Sequence, residues 1–173
     1  MSDQKLIRID YEGNFAIITL NNPTKFNSPT QSLFSRLASL LREADANKDV
    51  IGADLKDSPP SMDEILSRPY WLPKLVNNNL DVATAFYSHS KILVTALNGP
   101  VLGLSAALIS HSDFIYAVPD AYLLTPFSSL GLVAEGGDSV AFVHRMGPDK
   151  ANEALILGRK IPVSELVQAK TVV

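Results

Sequence analysis

The chain has 173 residues, 46% hydrophobic and 19% charged, which gives enough apolar material for a packed core and argues against disorder. Fifteen Lys and Arg against eighteen Asp and Glu leave a net charge of −3, so there is no basic excess to hold a nucleic-acid backbone or an anionic membrane surface. Cysteine is absent and the three histidines, His89, His111 and His144, are scattered, which excludes disulfide scaffolds and cysteine nucleophiles, argues against a metal site and suits a reducing intracellular compartment.

The opening residues Met1-Ser2-Asp3-Gln4-Lys5 lack the apolar run of a secretory signal, so no export is expected. Lys5 to Tyr11 and Phe15 to Leu20 read as strands joined by a hairpin loop, Glu12-Gly13-Asn14. Ser28-Pro29-Thr30-Gln31 supplies an N-cap, a proline for the first helical position and a capping-box glutamine. Behind it Leu33, Phe34, Leu37, Leu40, Leu41 and Ala44 recur on one face and predict a helix to about Asp45. Asp49 to Lys56 is ambiguous, residues 57–61 form a loop, and Ile65 to Leu80 is weakly patterned. A helix over Asp81 to His89 carries Val82, Ala85 and Phe86.

Ile92 to Ser110 is a run of 19 residues without a charge, long enough to span a bilayer. Asn98-Gly99-Pro100 breaks it, so no membrane span is expected. The run divides into a strand, Ile92 to Leu97, apolar on both faces as in a covered parallel sheet, and a helix of small residues, Leu102 to Ile109. Asp113 to Val118 and Ala121 to Leu124 read as strands around the Pro119-Asp120 turn. Two helices follow, Gly137 to Met146 and Asp149 to Leu157, closed by Gly147 and Gly158, and another opens after Ser164. Strands alternating with helices predict an α/β fold.

Three segments have the composition of a reactive site, each with a plainer alternative. In Gly52-Ala53-Asp54-Leu55-Lys56 a Gly-Ala step lets a backbone N–H approach a ligand, or simply turns the chain. In Asn98-Gly99-Pro100-Val101-Leu102-Gly103-Leu104-Ser105 the chain enters a helix whose first N–H groups lack intrahelical partners and can face an oxyanion; close helix–sheet packing is the alternative. In Leu130-Gly131-Leu132-Val133-Ala134-Glu135-Gly136-Gly137 one carboxylate lies between an apolar run and two glycines. There it can serve as a base, its pKa raised by apolar surroundings and lowered by the helix terminus, or as a cap. Asp138, inside the next helix, suits the dipole.

In this order the three segments resemble the crotonase (enoyl-CoA hydratase/isomerase) superfamily. Gly52 to Lys56 is similar to its first oxyanion segment and Asn98 to Ser105 to its second. The opening strand pair and capped helix match its N-terminal end, and Gly158-Arg159-Lys160-Ile161 with Leu166-Val167 matches its later helical part, so nearly the whole chain is covered. The resemblance implies a crotonase-like spiral core of repeated β-β-α units, one domain over residues 1–173. It also implies that one strand before Gly52 is lacking, together with the C-terminal helical part that builds trimers in family members.

The same resemblance implies that the N–H groups of Ala53 and Leu104 hold a thioester oxygen, with Gly52, Asp54, Leu55, Gly103 and Phe127 around the substrate. Family hydratases act on water through two glutamates, and Ala107 and Phe127 stand in those places. In Δ3,Δ2-enoyl-CoA isomerases, the fungal peroxisomal type above all, the base sits in a segment similar to Leu130 to Gly137, which implies Glu135 as the base. Leu104 in place of a glycine also looks like that subgroup. A fatty acyl-CoA thioester is the implied substrate. No metal or redox cofactor is implied (CoA being part of the substrate), and no nucleic-acid partner. Assembly as a homotrimer or hexamer and a peroxisomal location follow from the resemblance, with the cytoplasm or mitochondrion as alternatives. Dienoyl-CoA isomerisation, enoyl-CoA hydration, and a non-catalytic variant that binds CoA thioesters or joins other subunits are the rival readings.

Overall fold

The computed structural model describes residues 6–21, 31–47 and 77–173. The ambiguous stretch 49–56, with Gly52, Ala53, Asp54 and Leu55, lies outside the described residues, as does the loop at 57–61. The chain divides into two compact units, Met1–Ile92 and Leu93–Val173.

In the first unit β1 (Ile7–Glu12) and β2 (Phe15–Leu20) form the expected hairpin, antiparallel with Glu12 opposite Phe15 and Ile7 opposite Leu20. α1 (Gln31–Ala46) buries Leu33, Leu37, Leu40, Leu41 and Ala44, the stripe predicted from their spacing. α2 (Asn77–Tyr87) packs on α1 through Val82, Ala85 and Phe86 and starts a turn earlier than the sequence pattern suggested. It stops where Ser88 turns its hydroxyl back to the Thr84 carbonyl, 2.6 Å, and where His89 Nδ1 takes the Lys91 N–H. Arg42 on α1 meets the Asp81 carboxylate on α2. The Lys91 ammonium donates to the Ala44 and Asn47 carbonyls, satisfying the open end of α1 with a cation where the helix dipole favours one.

The second unit holds β3 (Val94–Leu97), β4 (Val101–Leu102), α3 (Leu104–Ile109), β5 (Phe114–Ala117), β6 (Tyr122–Leu124), α4 (Asp138–Leu155), β7 (Ile161–Pro162) and α5 (Val163–Gln168). Strand–strand–helix recurs as β1-β2-α1, β3-β4-α3 and β5-β6-α4. Within the second unit, the first strand of one turn pairs in parallel with the first strand of the next (β3 with β5), and the second pairs with the second (β4 with β6). That stacking is a spiral of β-β-α turns, the α/β architecture expected.

Two short strands were not expected. Val101-Leu102 pairs with Leu123-Leu124, so the helix predicted from Leu102 begins only at Leu104. Gly103 between them has φ 56° and ψ −132°, a conformation closed to residues with a side chain, and it is what turns the strand into the helix. Ile161-Pro162 adds antiparallel to β6 as an edge pairing that tolerates a proline. The faces of β3 differ from expectation, since Leu97 joins the core while Val94 is half exposed; in β5 likewise Ile115 and Ala117 join the core while Phe114 and Tyr116 are about half exposed.

α4 is kinked at Gly147, φ 77° and ψ 163°, immediately before Pro148, so it behaves as the two helices the sequence indicates. Beyond it Lys150 and Arg159 both engage Glu153 and Glu165, at 2.6 to 2.9 Å, tying the end of α4 to α5. Those cations hold the Glu165 carboxyl down at about 2. Among the described residues no helix is long and apolar enough to cross a membrane.

Candidate active site

The loop between β6 and α4 carries Glu135, and its Gly136 lies against Leu104 and Ala107 of α3. Thr125, fully buried, anchors it by donating to the Ala154 carbonyl at 2.9 Å. Phe127, 3% exposed, seats the next step, and a 3₁₀ turn over Ser128–Leu130 is closed by Gly131 in the left-handed conformation. The Leu132 N–H returns to the Phe127 carbonyl at 2.8 Å. The chain then runs to Glu135, which is half-buried, and reverses through Gly136 and Gly137 into α4.

Both glycines are dictated by conformation and by space. Gly136 has φ 63°, and a Cβ there would lie 2.8 Å from Leu104 Cδ1 and 3.0 Å from Ala107 Cβ. Gly137 has φ 84°, and a Cβ there would stand 3.1 Å from the His111 ring. Nε2–H of His111 donates to the Gly136 carbonyl at 2.7 Å, the carbonyl being able only to accept. The backbone next to Glu135 therefore packs directly on the first turn of α3, which begins with Leu104. The other end of α3 is fixed by Arg145 of α4, whose Nε–H donates to the Ser110 carbonyl.

Gly136→Ala is expected to cost about 1–2 kcal/mol for the left-handed backbone and about 1–3 kcal/mol more for the collision with Leu104 and Ala107. Gly131→Ala, at φ 68° with nothing within 4 Å of its Cβ, keeps only the first cost. Denaturant midpoints of the two variants measure the difference, and equal losses would show that the Gly136–Leu104 contact does not constrain the loop.

Of the residues singled out in the sequence, Gly103, Leu104, Phe127 and Glu135 lie within the second unit, and the loop of the last two meets the helix of Leu104. Ala53, Gly52, Asp54 and Leu55 lie outside the described residues. Ala107 and Phe127 are buried apolar side chains, so neither place holds a carboxylate.

The apolar run before Glu135 does not enclose it as expected. Leu130 is 65% and Val133 81% exposed. The desolvated carboxyl of this segment is instead Asp138. It is fully buried, and neither carboxylate oxygen has a hydrogen-bond partner of good geometry among the described residues. Burial, reinforced by the negative charge of Glu135, pushes it up to about 7, against the opposing pull of nearby backbone N–H groups. Its burial had a sequence signal: Asp138 heads the i, i+4, i+8 row that continues with Phe142 and Met146, the core face of α4. His111 had none, since its value lies in reaching the carbonyl of Gly136.

Residues 10–172 match the enoyl-CoA hydratase/isomerase family. The chain is 46% identical over 181 residues to a Δ(3,5)-Δ(2,4)-dienoyl-CoA isomerase of Pyricularia oryzae, covering 92% of this chain and 65% of that protein. It is 35% identical over 167 residues to a 3,2-trans-enoyl-CoA isomerase of Saccharomyces cerevisiae, covering 86% of this chain and 60% of the relative. Among solved structures, Pseudomonas aeruginosa OdaA superposes with a TM-score of 0.81 at 25% identity, over 97% of this chain and 70% of that one. The chain thus spans under two thirds of the length of these two curated relatives. A spiral of stacked β-β-α turns, a glycine-led short helix, a glutamate loop seated upon it and a family match over nearly all its length make this chain a member of the enoyl-CoA hydratase/isomerase family.

Proposed function

We propose that the protein is an enoyl-CoA isomerase that moves the double bond of a 3-enoyl-CoA from C3 to C2, with Glu135 as its base. The observation that carries this reading is the contact of Gly136 with Leu104 and Ala107, which seats the glutamate's loop on the first turn of α3. In the proposed reaction the Glu135 carboxylate takes a proton from C2, and the electron pair moves into the thioester as an enolate. The N–H group of Leu104, at the start of α3, holds the enolate oxygen. The carboxyl then returns the proton at C4, so the double bond lies between C2 and C3 with no net change in atoms. Such donors stabilise charge as it develops, and removing one typically costs about 3–4 kcal/mol of barrier. The acidity comes from the thioester, so the proposal calls on no metal or redox cofactor. Buried Ala107 and Phe127 provide no carboxylate to activate water, which supports isomerisation over hydration.

Dienoyl-CoA isomerisation is the second reading, favoured by the 46% identity to the Pyricularia protein of that name. The test is a product scan with 3-enoyl-, 2-enoyl- and 3,5-dienoyl-CoA. Conversion of the 3-enoyl thioester to the 2-trans product supports the first reading. Turnover of the dienoyl thioester alone assigns the second, and hydration of the 2-enoyl thioester overturns both. A peroxisomal location and a trimeric assembly are proposed with this function, checked by imaging and by sedimentation.

A further inference from the structure

His111 takes no part in the proton transfer proposed above, yet its side chain holds the turn that follows the base. The Glu135 carbonyl accepts the Asp138 N–H at 3.2 Å, closing a turn whose central residues, Gly136 and Gly137, both have positive φ, 63° and 84°. Glycine rotates freely on either side of the peptide between them, so the chain itself does little to fix that peptide's plane. His111 fixes it: Nε2–H donates to the Gly136 carbonyl at 2.7 Å, and the ring stands where a Cβ on Gly137 would meet it at 3.1 Å. The ring has a rigid mount. The His111 N–H donates to the Leu108 carbonyl at 3.1 Å, and the Ser110 carbonyl before it takes Nε–H of Arg145. Fully buried Ser112 after it shares a hydrogen bond with Thr95 at 2.7 Å.

We propose that His111 is a positioning residue for the base, a donor that ties the turn after Glu135 to the helix that begins with Leu104. The proposal rests on the reading of Glu135 as the base. Packing and the hydrogen bond join this turn to α3 in opposite senses. Gly136 against Leu104 and Ala107 stops the turn coming closer, but a van der Waals contact offers little resistance to its moving away. The His111 hydrogen bond resists that withdrawal and, being directional, sets the orientation of the peptide next to Glu135. With the gap set from both sides, the backbone of Glu135 and the N–H of Leu104 belong to one frame. A shift of about 1 Å within such a frame can cost about 100-fold in rate.

The experiment measures kcat and KM for 3-enoyl-CoA in His111→Phe, His111→Gln and His111→Asn, and in His111→Phe combined with Glu135→Gln. Phenylalanine keeps a ring over Gly137 and loses the donor. Glutamine carries an amide N–H at the reach of Nε2, whereas asparagine carries one only at the reach of Nδ1. His111→Phe should lower kcat about 10–100-fold with KM held within about threefold. The glutamine variant should recover to within about fivefold of the wild type, while the asparagine variant stays as slow as the phenylalanine one. A ring that served packing alone would give the reverse order, preserved by Phe and lost in Gln. In the Glu135→Gln background, His111→Phe should change the residual rate less than about threefold, because the residue acts only through the base. Wild-type turnover by His111→Phe, a glutamine variant no faster than the asparagine one, or a loss that Glu135→Gln does not absorb overturns the proposal and leaves the base assignment standing. If His111→Phe does not fold, the contrast between glutamine and asparagine decides. Full turnover by Glu135→Gln alone overturns the base assignment, and the positioning role with it.

Discussion

Glu135→Gln should lower kcat on 3-enoyl-CoA by about 10²–10⁴-fold, the usual worth of a positioned general base. Glutamine keeps the length, shape and much of the hydrogen bonding of the side chain, so the fold of the loop should survive. KM should change little, because the thioester oxygen is proposed to rest on a backbone N–H group that no side-chain substitution deletes. A fall in both kcat and kcat/KM with KM preserved is the signature of a group acting on the reacting atoms. A variant that isomerises near the wild-type rate would reduce Glu135 to a loop residue and remove the main support for the isomerase reading. Ala107 and Phe127 are apolar and buried, so neither offers a carboxylate in place of Glu135.

The hairpin and α1 were legible from local pattern, because a tight turn and a 3.6-residue apolar stripe are written in adjacent residues. The β4 and β7 strands were not. Two residues carry no periodicity, and Val101-Leu102 is a strand only because Leu123-Leu124 lies alongside. The half-open face of β3 and β5 illustrates the same limit, since an apolar run states that burial is favourable and not which neighbour supplies it. The candidate site divides in the same way. Glu135 between an apolar run and two glycines was visible in sequence, and the glycines proved necessary for reasons that only space reveals: Leu104 and Ala107 on one side and His111 on the other. The desolvation expected for Glu135 falls on Asp138, because the loop leaves Leu130 and Val133 in solvent while α4 turns its first residue inward with Phe142 and Met146.

That burial has a consequence for stability, with the opposite sign to ordinary acid denaturation. The Asp138 carboxyl titrates near 3.8 when unfolded and at about 7 when folded, so between those limits the folded chain binds the extra proton. Stability then falls as pH rises, fully present below about pH 4 and lost by about pH 7, at about 1.4 kcal/mol per unit and no more than about 4 kcal/mol in total. Glu153, Glu165 and Asp45 have lowered values and act the other way, but their contribution is lost only as pH falls through the acidic range. Between pH 5 and 8 the Asp138 slope should therefore dominate, and urea midpoints should drop across that window. Asp138→Asn keeps the shape, cannot ionise, and should flatten the profile, leaving the variant more stable than the wild type at pH 8 by about 1–4 kcal/mol. A wild-type midpoint that is constant or rises from pH 5 to 8 would show that the Asp138 carboxyl is paired or hydrated in solution. An Asn variant that retains the wild-type slope would place the titrating group elsewhere.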